Sequence, residues 1–332
     1  ENNFLVVCHN IYMLKCIKSV MGFKGKPPIV AILRTKVLNF WHMSKQKEEN
    51  FCRYPFFGLS FVYMKKKYYL CDKFTKHMYA IITGASSGCG YEYARIMAQK
   101  GYQLLIVSNE EAIHDKAQLL RQDFGVEVVS LVRNLGVQSA AKELYDYCQA
   151  ENLKVEVLIN NAGVYHDCDF LADSEGFNQL ILNLHMHTPA MLMYYFGHEM
   201  VKRGKGYILN MCSITADIAV QRLGTYGATK AFLSNFTRSV HIELQEKGVY
   251  VTNVTPGAIN TGLYNIRPWL TKMGLVLGYI VQPDYLARRA VRAMMKGRAK
   301  VSVPGVWNSV LLFFVALIPT CVLRLVRKLK IF

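Results

Sequence analysis

Three side chains in the second half of the sequence have the types and spacing of a proton-transfer site. Tyr226 and Lys230 are four residues apart, so on a helix they share one face about one turn from each other. A phenol titrates near 10 and exchanges protons poorly at neutral pH. A neighbouring ammonium stabilises the phenolate, lowers that value and lets Tyr226 act as a general acid or base. Ser213 lies 13 residues upstream of Tyr226, at the end of an apolar run. Its hydroxyl can donate to a substrate carbonyl whose oxygen gains negative charge during hydride attack. A Tyr-x-x-x-Lys pair alone means little, because surface residues reach this spacing by chance.

Three further stretches could hold a nucleotide. Thr83–Gly90 reads TGASSGCG, after a strand pattern and before a helical one. Gly84 permits a tight turn, Gly88 lets the backbone approach a phosphate, and Gly90 allows close helix–strand packing, with Ser86 and Ser87 between them. The helix N-terminus then offers N–H groups and positive dipole to a pyrophosphate. Its strand–turn–helix context is what gives a glycine trio weight. The second strand ends at Ser108-Asn109-Glu110. An acid at that tip would select NAD and an Arg would hold the 2′-phosphate of NADP. Small, neutral Ser108 leaves room for the phosphate, whereas Glu110 and Glu111 oppose it unless they point away, so the reading leans to NADP(H) with NAD(H) as the alternative. Asn160-Asn161-Ala162-Gly163 ends the fourth strand. There the amides can tie strand ends together and Gly163 can admit a cofactor ribose, although a plain turn reads equally well.

These residues need a frame, and the apolar pattern supplies one. Strand-like runs occur at Tyr79–Thr83, Gln103–Ser108, Glu127–Val132, Val155–Asn160, Tyr207–Cys212, Tyr250–Val254 and Lys300–Val303. Helical periodicity fills the intervals near 89–100, 110–123, 137–151, 174–203, 225–247 and 283–297. Continuous aliphatic runs alternating with such helices predict an α/β fold, a doubly wound parallel sheet of Rossmann type covered on both faces. Pro189 predicts a kink near His185–Pro189, because it removes a backbone donor.

Composition bounds the rest. The chain has 332 residues, 52% hydrophobic and 19% charged, with nine Cys and a net charge of +17. That much apolar surface excludes bulk disorder. An odd, thinly spread set of Cys with no CxxC excludes a disulfide scaffold, zinc ribbons and thioredoxin-like sites, and suits a reducing cytoplasm. Residues 1–77 carry 14 basic and 4 acidic side chains, a net of +10, against +7 for the remainder. The basic excess therefore belongs mostly to this irregular segment and does not argue for nucleic acid. It reads as an accessory or upstream-translated piece, with Met78 as the natural start of the domain that follows.

Val306–Leu323 contains 18 residues, 14 of them apolar and none charged, followed by Arg324, Arg327, Lys328 and Lys330. The expected partition is thus 1–77 accessory, 78–305 catalytic domain and 306–332 an apolar extension. Pro319 and the short length argue for a segment lying on a membrane surface rather than spanning it. A buried helix over the substrate cleft or in a subunit contact is the alternative.

On these motifs, residues 78–305 resemble a short-chain dehydrogenase/reductase. TGASSGCG, NNAG, Asn183, Ser213, Tyr226-Gly227-Ala228-Thr229-Lys230 and Pro256-Gly257-Ala258-Ile259-Asn260-Thr261 appear in the order of that family. The resemblance implies Tyr226 as proton donor, Ser213 polarising the carbonyl, Lys230 holding the nicotinamide ribose, and Asn183 kinking its helix and anchoring a relay water. It implies that Asn161, Ala162 and Gly163 border the cofactor, and that Thr261, above Pro256, Gly257 and Ile259, binds the carboxamide. Cys89 replaces a more usual Ile, and Asn134 stands where an Asp commonly meets adenine. It also implies a homodimer or tetramer.

The stretch Tyr226–Thr261 is similar to long-chain 3-oxoacyl-CoA reductases and 17β-hydroxysteroid dehydrogenases. The apolar loop 262–282, with Trp269, Leu270, Met273, Leu275, Val276, Leu277, Ile280 and Val281, suits a hydrophobic ketone. The expected function is NADP(H)-dependent ketone reduction or alcohol oxidation by a cytoplasmic enzyme, peripheral or monotopic on the membrane. A catalytically silent cofactor-binding regulator or a membrane-docking protein is the alternative. No metal site is expected: His185 and His187 do not share a helix face, and His166 near Asp167 and Asp169 reads as a solvated or substrate-facing loop. Cys212 reads as a packed thiol.

Overall fold

The protein is described by a computed structural model over residues 78–261, 268–276 and 280–303. The strands are β1 (Tyr79–Thr83), β2 (Gln103–Ser108), β3 (Val128–Val132), β4 (Val155–Asn160), β5 (Gly206–Met211), β6 (Val249–Pro256), β7 (Ala258–Ile259), β8 (Ile280–Val281) and β9 (Lys300–Val303). Seven form one sheet in the order β3-β2-β1-β4-β5-β6-β9, with every neighbouring pair parallel. β7 and β8 pair separately.

Alternation along the strands divides the core into two faces. Ala80, Ile82, Leu104, Ile106, Val157 and Ile159 enter one cluster with residues of α1 (Gly88–Gln99), α2 (Ile113–Phe124) and, further along the chain, Pro283–Met294. Tyr79, Ile81, Leu105, Val107, Leu158 and Ile208 enter the other, with α3 (Ala140–Ala150) and two longer helices. Burial on both faces is why these strands read as unbroken apolar runs. Each fully buried Ile or Leu contributes about 1.5–3 kcal/mol of transfer free energy.

The periodicity at 174–203 resolves into α4 (Glu175–Leu182), a π turn (Asn183–His187) and α5 (Thr188–Arg203). In that turn the Thr188 N–H bonds Asn183 O, five residues back. The break predicted from Pro189 is therefore present, and a widened turn makes it. The remaining helices are α6 (Gly224–Leu244), α7 (Pro268–Val276) and α8 (Pro283–Met294). α2 begins three residues later than expected, and β7, β8 and α7 were not expected. Ile280 and Val281 of the anticipated apolar loop are buried strand residues paired with Ala258 and Ile259.

Among the described residues no helix is long and apolar enough to cross a membrane. The accessory segment 1–77, the apolar extension 306–332 and loop residues 262–267 and 277–279 lie outside the described residues.

Candidate active site

The sheet reverses its winding between β1 and β4, and the turns leaving these two strands meet at its carboxyl edge. This is where an open α/β sheet binds ligands. Thr83 and Asn161 stitch the two ends together. The Thr83 hydroxyl accepts from the N–H groups of Asn161 and Ala162 at 2.9 and 3.0 Å. The Asn161 amide donates to the carbonyls of Thr83 and Gly84 at 3.0 and 3.2 Å.

Gly84 and Gly88 have φ of +66° and +52°, the left-handed region that favours glycine. Gly90 is fixed by proximity instead, since a Cβ there would lie 1.9 Å from Gly84 O. α1 therefore starts tight against the turn. Its N-cap Ser87 makes no side-chain cap bond and its first turn carries no acid. An anion at that helix end meets backbone donors and no opposing charge, so the cradle fits a pyrophosphate.

A cleft of about 520 Å³ runs from this turn along the sheet edge. Gly84, Ser86, Ser87 and Gly88 line it at the α1 end, with Ser108, Asn109, Glu110, Arg133 and Asn134 beyond. Asn161, Ala162, Gly163, Pro256, Ile259 and Thr261 follow, and Tyr226 and Lys230 line the far end. Gly90 acts beneath the cleft through packing. Gly257 bonds Val303 O through its N–H at 2.9 Å. Cys89 fills the core position expected of it, and burial pushes its thiol up to about 12.

The adenosine end differs from expectation in two ways. Glu111 turns outward to His114, at 3.5 Å, and leaves Glu110 as the acid lining the cleft. Arg133 was not anticipated. It follows β3 rather than β2, and its N–H bonds Ser108 O at 2.7 Å, so it flanks Ser108 from the neighbouring strand. Ser108 Oγ donates to Ser86 Oγ at 3.1 Å. Asn134 Oδ1 accepts from Gly136 N at 2.9 Å, leaving the NH₂ as its donor toward an adenine.

α6 is held to the sheet by in-register amides. Asn160, Asn210 and Asn253 lie side by side on β4, β5 and β6. Asn210 donates to Thr237 Oγ1 at 2.8 Å and Asn253 to Ser234 Oγ at 2.7 Å. The helix so anchored presents Tyr226 and Lys230, both about 95% buried. Lys230 Nζ donates to Met211 O at 3.0 Å and lies 5.7 Å from the Tyr226 ring centroid. Ser213 caps the turn Ile214–Ala216, its Oγ accepting from Thr215 N at 3.2 Å and Thr215 Oγ1 at 2.9 Å. With two donors on its lone pairs, its own proton is available to donate.

Burial lowers Lys230 to about 8. The ammonium is still the main form at neutral pH, and it is lost as pH rises through that value. We expect kcat/KM for NADPH, which reports the cofactor-free enzyme, to fall above about pH 8 by about tenfold per unit. A profile flat to pH 10 would show that the Lys230 charge is not needed.

Asn183 opens the π turn, the helix break that the resemblance implies for it. Its side chain donates to Gly136 O at 2.9 Å, its carbonyl accepts the Thr188 N–H, and it is absent from the cleft lining. The residue of that turn beside Tyr226 is His185, with ring centroids 5.6 Å apart. The buried positions Ile181, His185, Thr188, Leu192 and Phe196 are spaced by three or four, so His185 lies on the inward stripe and Asn183 off it. Gly163 lines the cleft as expected and is also packed on its other side. A Cβ there would lie 2.9 Å from His185 Nε2, so the close neighbour that requires glycine is the imidazole. Donor atoms of His166, Cys168 and Asp173 lie within 4.8 Å of one another on the loop after β4, while Asp167 pairs with Arg222.

Comparison with known proteins agrees with this geometry. The family profile for short chain dehydrogenase matches residues 78–269. The chain belongs to the short-chain dehydrogenase/reductase family. That family comprises NAD(P)-dependent oxidoreductases, and its fold is the one described above.

The chain is similar to the very-long-chain 3-oxoacyl-CoA reductase of Rattus norvegicus, 29% identical over 202 residues, covering 58% of this chain and 64% of the relative. It thus spans somewhat under two thirds of that relative's length. Hydroxysteroid dehydrogenase-like protein 1 of Gallus gallus is 26% identical, with 69% and 68% covered. Among solved structures, a short-chain dehydrogenase from Sphingobium yanoikuyae in complex with NADPH superposes with a TM-score of 0.61 at 25% identity, covering 70% of this chain and 92% of that one.

Proposed function

We propose that the protein reduces a hydrophobic ketone with NADPH, and in the reverse sense oxidises the corresponding secondary alcohol. The observation that carries the reading is the pairing of Tyr226 and Lys230 at the end of a dinucleotide-sized cleft also lined by Met211 and Cys212, the two residues that precede buried Ser213 in the chain. Bound there, a dihydronicotinamide supplies hydride to the carbonyl carbon. Ser213 donates to the carbonyl oxygen and stabilises the charge that gathers on it. Tyr226 gives its phenolic proton to that oxygen, completing the alcohol. Lys230 steadies the phenolate left behind and, at the cleft wall, would hold a ribose.

The surroundings of Tyr226 support an apolar substrate. Ile181, Leu223, Val164, Tyr165 and Phe177 pack with it, and the Tyr165 ring stands edge-on at 5.4 Å. The similarity to very-long-chain 3-oxoacyl-CoA reductases points the same way, and that to a hydroxysteroid dehydrogenase-like protein supports a steroid-like ketone as well. A panel of such ketones run with NADPH and NADH tests the reading; failure of every ketone with both cofactors would leave a silent cofactor-binding regulator in its place.

NADPH preference rests on Ser108 and Arg133. A guanidinium flanking the strand tip favours a 2′-phosphate, and Ser108 leaves room for it. Ser108→Asp is expected to turn preference toward NADH, and Arg133→Ala to weaken NADPH binding while sparing NADH. Wild-type protein binding NADH tenfold more tightly than NADPH would contradict this.

The sequence of 306–332 supports docking on a membrane surface, near a lipid-like substrate. Its deletion is expected to release a folded, NADP-binding protein from membranes on fractionation. Full-length protein that is monodisperse without detergent would contradict the anchor. A homo-oligomer belongs to the same proposal, supported by exposed Tyr194 on α5 and Phe232 and Ile242 on α6.

A further inference from the structure

His185 is 1% exposed, and both ring nitrogens are engaged. Nε2 lies 3.0 Å from Val164 N, and Nδ1 lies 3.1 Å from Thr229 Oγ1. An amide N–H can only donate, so Nε2 is the acceptor and the ring proton belongs on Nδ1. The Thr229 hydroxyl can receive that proton's bond because its own proton is committed to Tyr226 O at 2.7 Å. The chain Val164 N–H, His185, Thr229, Tyr226 O is satisfied in one tautomer. It links the loop after β4 to the first turns of α6.

The same ring also closes space. It meets the Tyr226 ring edge-on, 78° between planes. A Cβ at Gly163 would touch both His185 Nε2 and Lys230 Nζ, at 2.9 and 3.7 Å, so imidazole and ammonium abut one wall. Behind them lies a cavity of about 10 Å³ lined by Lys230, His185, Asn160 and Thr83, at the lower limit for one water.

We propose that His185 is a positioning residue for the Tyr226–Lys230 pair: an uncharged clamp that fixes α6 against the end of β4 and keeps bulk water from the Lys230 ammonium. The inference rests on the carbonyl reduction proposed above. The titratable groups facing the pair are Tyr165 from the loop after β4 and Cys212 after β5, whose thiol is pushed up to about 12 by burial and stays neutral. Among the described residues no carboxylate lines the cavity. Burial first, and then the Lys230 charge, hold the imidazole well below its ordinary range, consistent with a ring that stays neutral. Burial, by the same token, is what holds Lys230 down.

Two measurements on the full chain test this. In protein labelled with ¹⁵N-histidine, His185, assigned by its loss in His185→Gln, should show a protonated Nδ1 and a bare Nε2, with no titration between about pH 5 and 9. A ring that titrates in that interval, or that carries its proton on Nε2, overturns the clamp. In kinetics, His185→Ala should lower kcat by about tenfold through misplacement of Tyr226, with KM for NADPH changed less than about twofold. It should also move the alkaline limb of kcat/KM upward by about one pH unit, as water reaches Lys230. His185→Gln, which can accept and donate, should recover part of both effects. A limb that stays in place in both variants overturns the proposal, because lost stability alone would lower activity without moving it. If His185→Ala does not fold, His185→Gln and the wild-type spectrum decide. Wild-type protein inert toward every ketone but showing the locked tautomer would refute the reductase and leave the clamp standing.

Discussion

Tyr226→Phe is expected to lower kcat for ketone reduction by at least about 100-fold, the lower end of what a positioned general acid contributes. The substitution keeps the ring, and with it the edge-on contacts to Tyr165 at 5.4 Å and His185 at 5.6 Å. It keeps the backbone carbonyl that accepts from Thr229, and it leaves the Lys230 bond to Met211 O untouched. What disappears is the proton. Binding of NADPH, followed by fluorescence quenching or calorimetry, should therefore change by less than about threefold. The separation matters, because a variant that lost cofactor and rate together would report a damaged cleft. Full activity in a folded Phe variant would mean that the proton comes from elsewhere.

Gly90→Ala is expected to act on the frame rather than the chemistry. Its methyl would lie 1.9 Å from Gly84 O and 2.7 Å from Asn161 Nδ2, and the first of these is backbone that has no rotamer to escape through. Relief requires α1 to move away from β1, which opens the turn that Gly84 and Gly88 shape and disturbs the Asn161 bonds joining β1 to β4. Overpacking of this kind costs about 1–3 kcal/mol, occasionally more, and a rigid carbonyl neighbour places the site at the upper end. NADPH binding should weaken by about 100-fold or more, since the phosphate cradle is lost with the geometry. Gly176→Ala is the matched control. It lies in the first turn of α4 with nothing within 4 Å of its Cβ, so it should be neutral or stabilise by up to about 1 kcal/mol. Urea unfolding of the three proteins, with NADPH titrations alongside, checks both claims. Equal stability and affinity for the Gly90 and Gly176 variants would show that α1 is not packed as tightly as described.

The sheet was legible because its central strands are buried on both faces, so β1, β2 and β4 appear in the sequence as the runs that the structure pairs. The missed elements have physical reasons for their silence. β7 and β8 are two residues each, too short for a period, and the pairing of Ala258–Ile259 with Ile280–Val281 is set by the tertiary fold. The π turn shows the limit most clearly. Pro189 locates the break, yet a turn closed by an i to i+5 bond shifts the helical phase, and phase decides which of Asn183 and His185 faces Tyr226. The resemblance gave Asn183 a helix kink and a relay water, and Asn183 does open the π turn; the neighbour of the Tyr226 ring is His185, on the buried stripe Ile181, His185, Thr188 and Leu192. Arg133 escaped because the selecting charge was sought at the tip of β2, while parallel pairing brings the end of β3 beside it.

Following the hydride itself tests the proposed reduction most directly. Full-length protein would be supplied with NADPH carrying deuterium at the transferable C4 position and with hydrophobic ketones of the 3-oxoacyl and steroid classes, and the products examined by mass spectrometry. The wild-type protein is expected to give an alcohol bearing one deuterium on its carbinol carbon, at a rate at least about 100-fold above that of Tyr226→Phe. Tight NADPH binding with no deuterated alcohol from any ketone would contradict the proposed reduction.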